Sequence, residues 1–147
     1  MENLILTLQK RRRLMFYILF TIALVGIGVD RFFEISAANY YSPELQCYFV
    51  YGLIAYKLAE LAILYFFFYH RHMLKCSLAE HDESLREKFE KNAKRFFMLV
   101  PHGSVIFGII SYKLTAELAY FLLFINIAFV ALFLVRPQAY FQHKHKQ

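Results

Sequence analysis

The chain has 147 residues, of which 59% are apolar and 19% aromatic, and its net charge is +6. This apolar share exceeds the roughly 45–50% of an average soluble domain, so the composition excludes an ordinary soluble protein and leaves room for one domain, residues 1–147. The positive residues lie beside apolar runs rather than in a separate patch, which argues against nucleic-acid binding.

Four apolar runs follow one another along the chain. They cover residues 14–29, 47–69, 96–112 and 118–135. Each approaches the roughly 20 residues that a helix needs to cross the hydrocarbon core of a bilayer. The sequence therefore predicts an all-α, polytopic membrane protein with a bundle of four transmembrane helices.

The segment before the first run ends in the basic residues Lys10–Arg13. Leu4 and Leu8 share one helical side, which predicts a short helix in the membrane interface whose basic end contacts anionic lipids; a frayed terminus is the alternative.

A cleaved signal peptide is the alternative interpretation of the first apolar run. We expect an uncleaved span. In a signal peptide the small residues of the cleavage site follow the apolar run closely, whereas here Asp30 and Arg31 stand between them.

Two opposite charges lie inside the second run. Lys57 and Glu60 are three residues apart, so they share one side of a helix and can pair. A charge at this depth costs a few kcal/mol, so the pair should face other helices or a wet cavity. It predicts an intramembrane polar site, which serves an ion, a proton or a charged ligand, or else locks helices together. Asn126 in the fourth run is the expected third member.

The inner end of the second run is rich in possible metal ligands. His70, His72, Met73 and Cys76 combine imidazole, thioether and thiol groups, which suit copper or zinc. Their spacing matches no recognised metal motif. Contacts between interfacial histidines and lipid headgroups are the alternative.

The connection between runs two and three predicts a helical hairpin. Ser84 and Glu87 have the spacing of a capping box, which places the start of the third helix near Leu85. Apolar residues then recur at helical spacing, and acidic and basic residues stand four apart. We therefore expect an amphipathic cytoplasmic hairpin between spans two and three.

Pro101, His102 and Gly103 interrupt the third run. Proline removes an intrahelical hydrogen bond and glycine permits close approach, so these residues are a candidate kink or ligand site. A heme between helices would need two histidines at similar depth, and His70 with His102 is the candidate pair. Gly26 and Gly28 in the first run are expected at helix contacts.

Tyr69 and His70, the charged connection 71–95 and Pro101 together resemble part of the small four-helix protoporphyrinogen oxidases. That resemblance implies a heme held by histidines. The chain departs from that family near the start of the second run, where Phe49 or a neighbour stands in place of a histidine.

Fourteen of the 17 lysine and arginine residues fall in the segments 10–13, 71–95 and 136–146. The positive-inside rule places all three segments, and so both termini, in the cytoplasm, which in a bacterium means an inner-membrane protein.

No nucleotide-binding loop, nucleophile elbow or carboxylate pair in a plausible cleft predicts an enzyme. We expect a small accessory or transporter-like subunit of a larger membrane assembly, or a homo-oligomer, with the bilayer as its surroundings and no predicted cofactor. The alternative is a redox protein that binds heme, copper or zinc through His70 and His102.

Overall fold

The computed structural model describes residues 2–33, 41–78 and 82–135, and nearly all of these residues lie in helices. Helix α1 is Glu2–Phe32 and α2 is Pro43–Leu64. Helix α2 continues without interruption through a π-helical segment, Tyr65–His70, into α3, Arg71–Leu78. Helix α4 is Glu83–Thr115 and α5 is Leu118–Leu134.

Among the described residues, three helical stretches are long and apolar enough to cross a membrane: Asn3–Phe32, Pro43–Cys76 and Glu83–Thr115. The fourth, Leu118–Leu134, is shorter and is apolar except for Asn126. These lengths and compositions are those of an integral membrane protein. The all-α class and the number of four apolar helices agree with the sequence prediction.

Helix α4 is the centre of the bundle. It packs most extensively on α5, and it also contacts α1, α2, the π-helical segment and α3. Helices α2 and α5 touch each other very little. The core is rich in phenylalanine, and its fully buried members include Phe89, Phe96, Phe97 and Leu19.

The basic N-terminal segment is not a separate interfacial helix. Helix α1 runs unbroken from Glu2 to Phe32, and Leu8 is fully buried in the same core cluster as Leu19. Leu4 packs against that cluster. The prediction failed because the apolar side of the first turns lies against neighbouring helices rather than against lipid headgroups.

The hairpin formed by α3 and α4 is present, but its cap differs from the predicted one. Asp82, not Ser84, is the N-cap of α4: its Oδ1 accepts hydrogen bonds from the backbone N–H of Ser84 at 2.9 Å and of Leu85 at 3.4 Å. These bonds satisfy amide groups that the first turn of a helix leaves open. The hydrogen bonds and Coulomb attraction to Lys88 lower the pKa of Asp82, with the bond to the Ser84 side chain as the largest cause.

The turn between α4 and α5 is tight and contains no glycine. Ala116 adopts a left-handed conformation, φ 54°, and its N–H donates to the Tyr112 carbonyl at 2.7 Å. The carbonyls at the end of α4 thereby find a donor, as in other left-handed helix ends. Near this turn, the Tyr112 hydroxyl donates to Asp30 Oδ1 at 2.6 Å, which joins α4 to α1.

Candidate intramembrane polar site

Lys57 and Glu60 form an ion pair near the middle of the second membrane-spanning stretch. Their spacing of three residues puts both side chains on the α2 side that faces α4. The Lys57 ammonium donates to Glu60 Oε2 at 3.0 Å and to the Val100 carbonyl of α4 at 3.3 Å. The charge is therefore held by a carboxylate and a backbone dipole together.

Gly103 makes the room that this ion pair occupies. A Cβ atom on Gly103 would lie 2.7 Å from Lys57 Nζ and 3.1 Å from Glu60 Oε1. Any larger residue at this position would push the charged groups away from α4. The structure thus brings together two predictions that the sequence kept apart, the polar pair of α2 and the proline-glycine segment of α4.

Burial is unequal within the pair. The Lys57 side chain is fully buried, whereas 25% of the Glu60 side chain is exposed. The ring of Phe107 lies on another side of the ammonium, 5.7 Å from its centroid, within the range of a cation–π contact. Lysine is therefore enclosed by α2 and α4, and the carboxylate opens to the outside of the bundle.

Pro101 and His102 flank the site without entering the ion pair. Pro101 is buried inside α4, which continues through it to Thr115. His102 is exposed on the surface of α4. The polar groups on the outside of this region therefore include a carboxylate from α2 and an imidazole from α4.

Asn126 does not join the polar pair. It is exposed on α5 and lines a groove between α2 and α5, together with Leu58 and Leu61. Its position in the sequence predicted the right depth, but the packing of the helices places it on a different face from Gly103. Depth along a span follows from sequence, whereas rotation about the helix axis follows from packing.

His70 and His102 are not brought together. Helices α2 and α4 are antiparallel, and the ring of Tyr65 contacts that of Phe96, so His70 lies level with about residue 91 of α4. The remaining eleven positions to His102 correspond to about 16 Å along the axis. The two imidazoles lie at different depths, and this geometry does not offer one heme iron two axial ligands within the chain.

In the structure, three residues of the predicted soft-metal cluster lie in the apolar core or against the helix backbone. Met73 is 1% exposed and Cys76 fully buried, both within the apolar core. His72 Nδ1 lies 3.0 Å from the Phe67 carbonyl instead. Within residues 2–33, 41–78 and 82–135, no three histidine, cysteine or acidic residues are grouped so that they could hold a metal ion.

The π-helical segment was not foreseen from the sequence. It covers the aromatic run Tyr65–His70, in which nearly every residue is large and apolar, so the run has no helical period that could mark a change of winding. The Tyr69 hydroxyl and His70 Nδ1 are buried without a hydrogen-bond partner in the described part of the chain. Short π-helical segments are frequent at functional sites.

The basic segment of α1 makes specific contacts with other helices. Arg12 Nη1 donates to the Val135 carbonyl at 3.2 Å, at the C-terminal end of α5. Arg11 Nη2 lies 3.9 Å from Met98 Sδ of α4. A cation at a helix C-terminus complements the open carbonyls and the negative end of the helix dipole.

No protein-family model, curated protein or solved structure matches this chain.

Proposed function

We propose that the protein is a small, non-catalytic integral membrane subunit of a larger membrane assembly, an accessory or transporter-like component. Its Lys57–Glu60 pair is the polar contact for a partner helix. The observation that carries this proposal is the unequal burial of the pair: the ammonium is enclosed, but a quarter of the carboxylate side chain is exposed at mid-span.

An exposed carboxylate in hydrocarbon is unfavourable. On insertion scales, an acidic residue at the centre of a span raises the free energy of membrane insertion by about 2.5–3.5 kcal/mol, even when snorkelling relieves part of the cost. A neighbouring helix that donates a hydrogen bond to Glu60 would remove this cost and gain a charge-assisted bond. The exposed imidazole of His102 on α4 favours the same partner.

The surroundings of this subunit follow from charge. Both termini and the α3–α4 hairpin lie in the cytoplasm of a bacterial cell, since basic residues concentrate there. Residues 74–96 are the docking surface for a cytoplasmic partner, and Lys10–Arg13 contact anionic lipids of the inner leaflet.

The double variant Lys57→Leu/Glu60→Leu tests the proposal. It removes both charges without leaving one of them buried alone, which would cost about 3–5 kcal/mol. The matched control is Lys113→Leu/Glu117→Leu, because it removes one base and one acid from the exposed turn between α4 and α5.

Both proteins are extracted from native membranes in mild detergent and compared by native gel electrophoresis and by mass spectrometry of co-purifying proteins. We expect the control to migrate in the same large complex as the wild type and the Lys57→Leu/Glu60→Leu protein to migrate as the isolated chain. Circular dichroism confirms that the variant remains folded. An unchanged complex in the double variant would exclude this role for the pair.

A further inference from the structure

A groove with a volume of about 800 Å³ lies between α2 and α5. It exists because both helices pack mainly on α4 and hardly on each other. Its size falls within the roughly 300–1,000 Å³ of small-molecule sites in proteins. Apart from the Asn126 amide and the Tyr65 hydroxyl, the side chains that line it are apolar, and they include Leu58, Leu61, Leu122, Ile127 and Val130.

The groove is long and follows the direction of the span. Along α5 its lining extends from Ala119 to Val135, which is about 24 Å at the rise of an α-helix. An occupant must therefore be elongated, apolar and aligned with the helices. A hydrocarbon chain of a membrane lipid has this shape and this chemistry.

One end of the groove lies next to a cation, Arg12. Val135 lines the groove, and its carbonyl accepts the hydrogen bond from Arg12 Nη1. At the same end, Tyr65 also lines the groove and stacks on Tyr69 with ring centroids 5.9 Å apart. A guanidinium has five N–H donors in a fixed fork, so it can donate to protein groups such as this carbonyl and to a phosphate oxygen at once.

We propose that this groove binds an acyl chain of an anionic phospholipid whose phosphate is bound by Arg12. The occupant matches both parts of the site: the hydrocarbon fills the apolar length and the phosphate meets the cation where α5 ends. A second transmembrane helix would fill the apolar length but has no need of the guanidinium. This inference does not depend on the proposed partner at Lys57 and Glu60, which lie on the α4 side of α2.

Tryptophan fluorescence provides the test, because the chain contains no tryptophan. One reporter is Tyr65→Trp, inside the groove, and the matched reporter is Phe66→Trp, the next residue, which is 56% exposed and lies outside the groove. Each full-length protein is reconstituted in phosphatidylcholine vesicles. Brominated phosphatidylglycerol or brominated phosphatidylcholine is then added in increasing fractions as quencher.

For Tyr65→Trp we expect half-maximal quenching at an approximately fivefold lower fraction of the brominated anionic lipid than of the zwitterionic one, as one basic residue near a lipid headgroup would give. Arg12→Gln should abolish this difference and Arg31→Gln, at an exposed position near the other end of α1, should preserve it. Phe66→Trp should show equal quenching by both lipids.

Two results would overturn the proposal. Equal quenching of the groove reporter by both lipids would mean that the groove holds ordinary bilayer lipid without selection. Quenching at Phe66→Trp but none at Tyr65→Trp would mean that protein, either a second copy or another subunit, covers the groove.

Discussion

The replacement of Gly26 by alanine should destabilise the bundle, although the same change at Gly28 should not. A Cβ on Gly26 would lie 2.4 Å from Phe121 Cε1, whereas a Cβ on Gly28 would have no atom within 4 Å. Carbon atoms in contact are about 3.5–4.0 Å apart, so the Phe121 ring would have to move by about 1 Å. The ring has little freedom to do so, because it is only 5% exposed and its other side lies against Gly108 of α4.

The expected magnitude follows from two opposing effects. Overpacking a well-packed contact costs about 1–3 kcal/mol. Alanine is a better helix former than glycine by about 1 kcal/mol, and this gain is common to both variants. The difference in unfolding free energy between Gly26→Ala and Gly28→Ala is therefore the overpacking cost alone, about 1–3 kcal/mol, or roughly 3–10 °C in Tm for a chain of this size.

The protein supplies its own reporter for this measurement. The Cys76 side chain is fully buried, so a thiol-reactive fluorogenic dye should label it only on unfolding. In a Cys47→Ser background, thermal labelling in detergent micelles gives Tm for each variant. Equal Tm values for the two alanine variants would refute the close packing of α1 on Phe121. Failure of a second change, Phe121→Leu, to restore stability to Gly26→Ala would refute it independently.

Three further predictions concern the ends of α4. Ala116→Gly should stabilise the protein by up to about 1 kcal/mol. The left-handed conformation costs a residue with a Cβ about 1–2 kcal/mol, and the greater entropy of glycine in the unfolded state cancels part of the gain. The same thiol-labelling assay should show a higher Tm. Since the pKa of Asp82 is lowered from 3.8 by its hydrogen bonds to Ser84 and by Lys88, its stabilising effect should be complete above that value and be lost as the pH falls through the lower folded-state pKa. Asp82→Asn should therefore flatten the loss of Tm below about pH 4, and an unchanged acid profile would contradict the capping role. Tyr112→Phe should cost about 1 kcal/mol, and a double-mutant cycle with Asp30→Asn should show that the two effects are not additive.

The four apolar helices were predictable because a helix needs roughly 20 apolar residues to cross hydrocarbon, and the sequence contains four runs that approach this length. The start of α4 was predictable as well: the cap pattern placed it near Leu85, and the helix begins at Glu83, well before its apolar run, because an amphipathic helix that packs on α3 needs no lipid around it. The cap was misassigned because Asp82 and Ser84 are both good N-cap residues, and only the backbone conformation at the helix start distinguishes them.

The sequence singled out Lys57, Glu60 and Gly103, but it did not show that they meet in one site. The cost of burying Lys57 and Glu60 indicated that they face another helix, and Gly103 was expected to admit a close neighbour. That these two features meet depends on the rotation of α2 and α4, which no local pattern fixes. Phe107 could not be distinguished from other aromatic residues of the same span, and Asn126 had the right depth but lies on another face.

The ion pair also determines how α2 is oriented about its own axis. Apolar residues surround α2 almost evenly, so hydrophobicity alone gives the helix little reason to turn one side rather than another toward the bundle. Successive residues on a helix are about 100° apart, so a turn by a single position would swing the Lys57 ammonium away from its niche at Gly103 and into hydrocarbon. The apolar surface of α2 would tolerate any rotation about the helix axis in lipid, and the Lys57 ammonium selects one of these rotations.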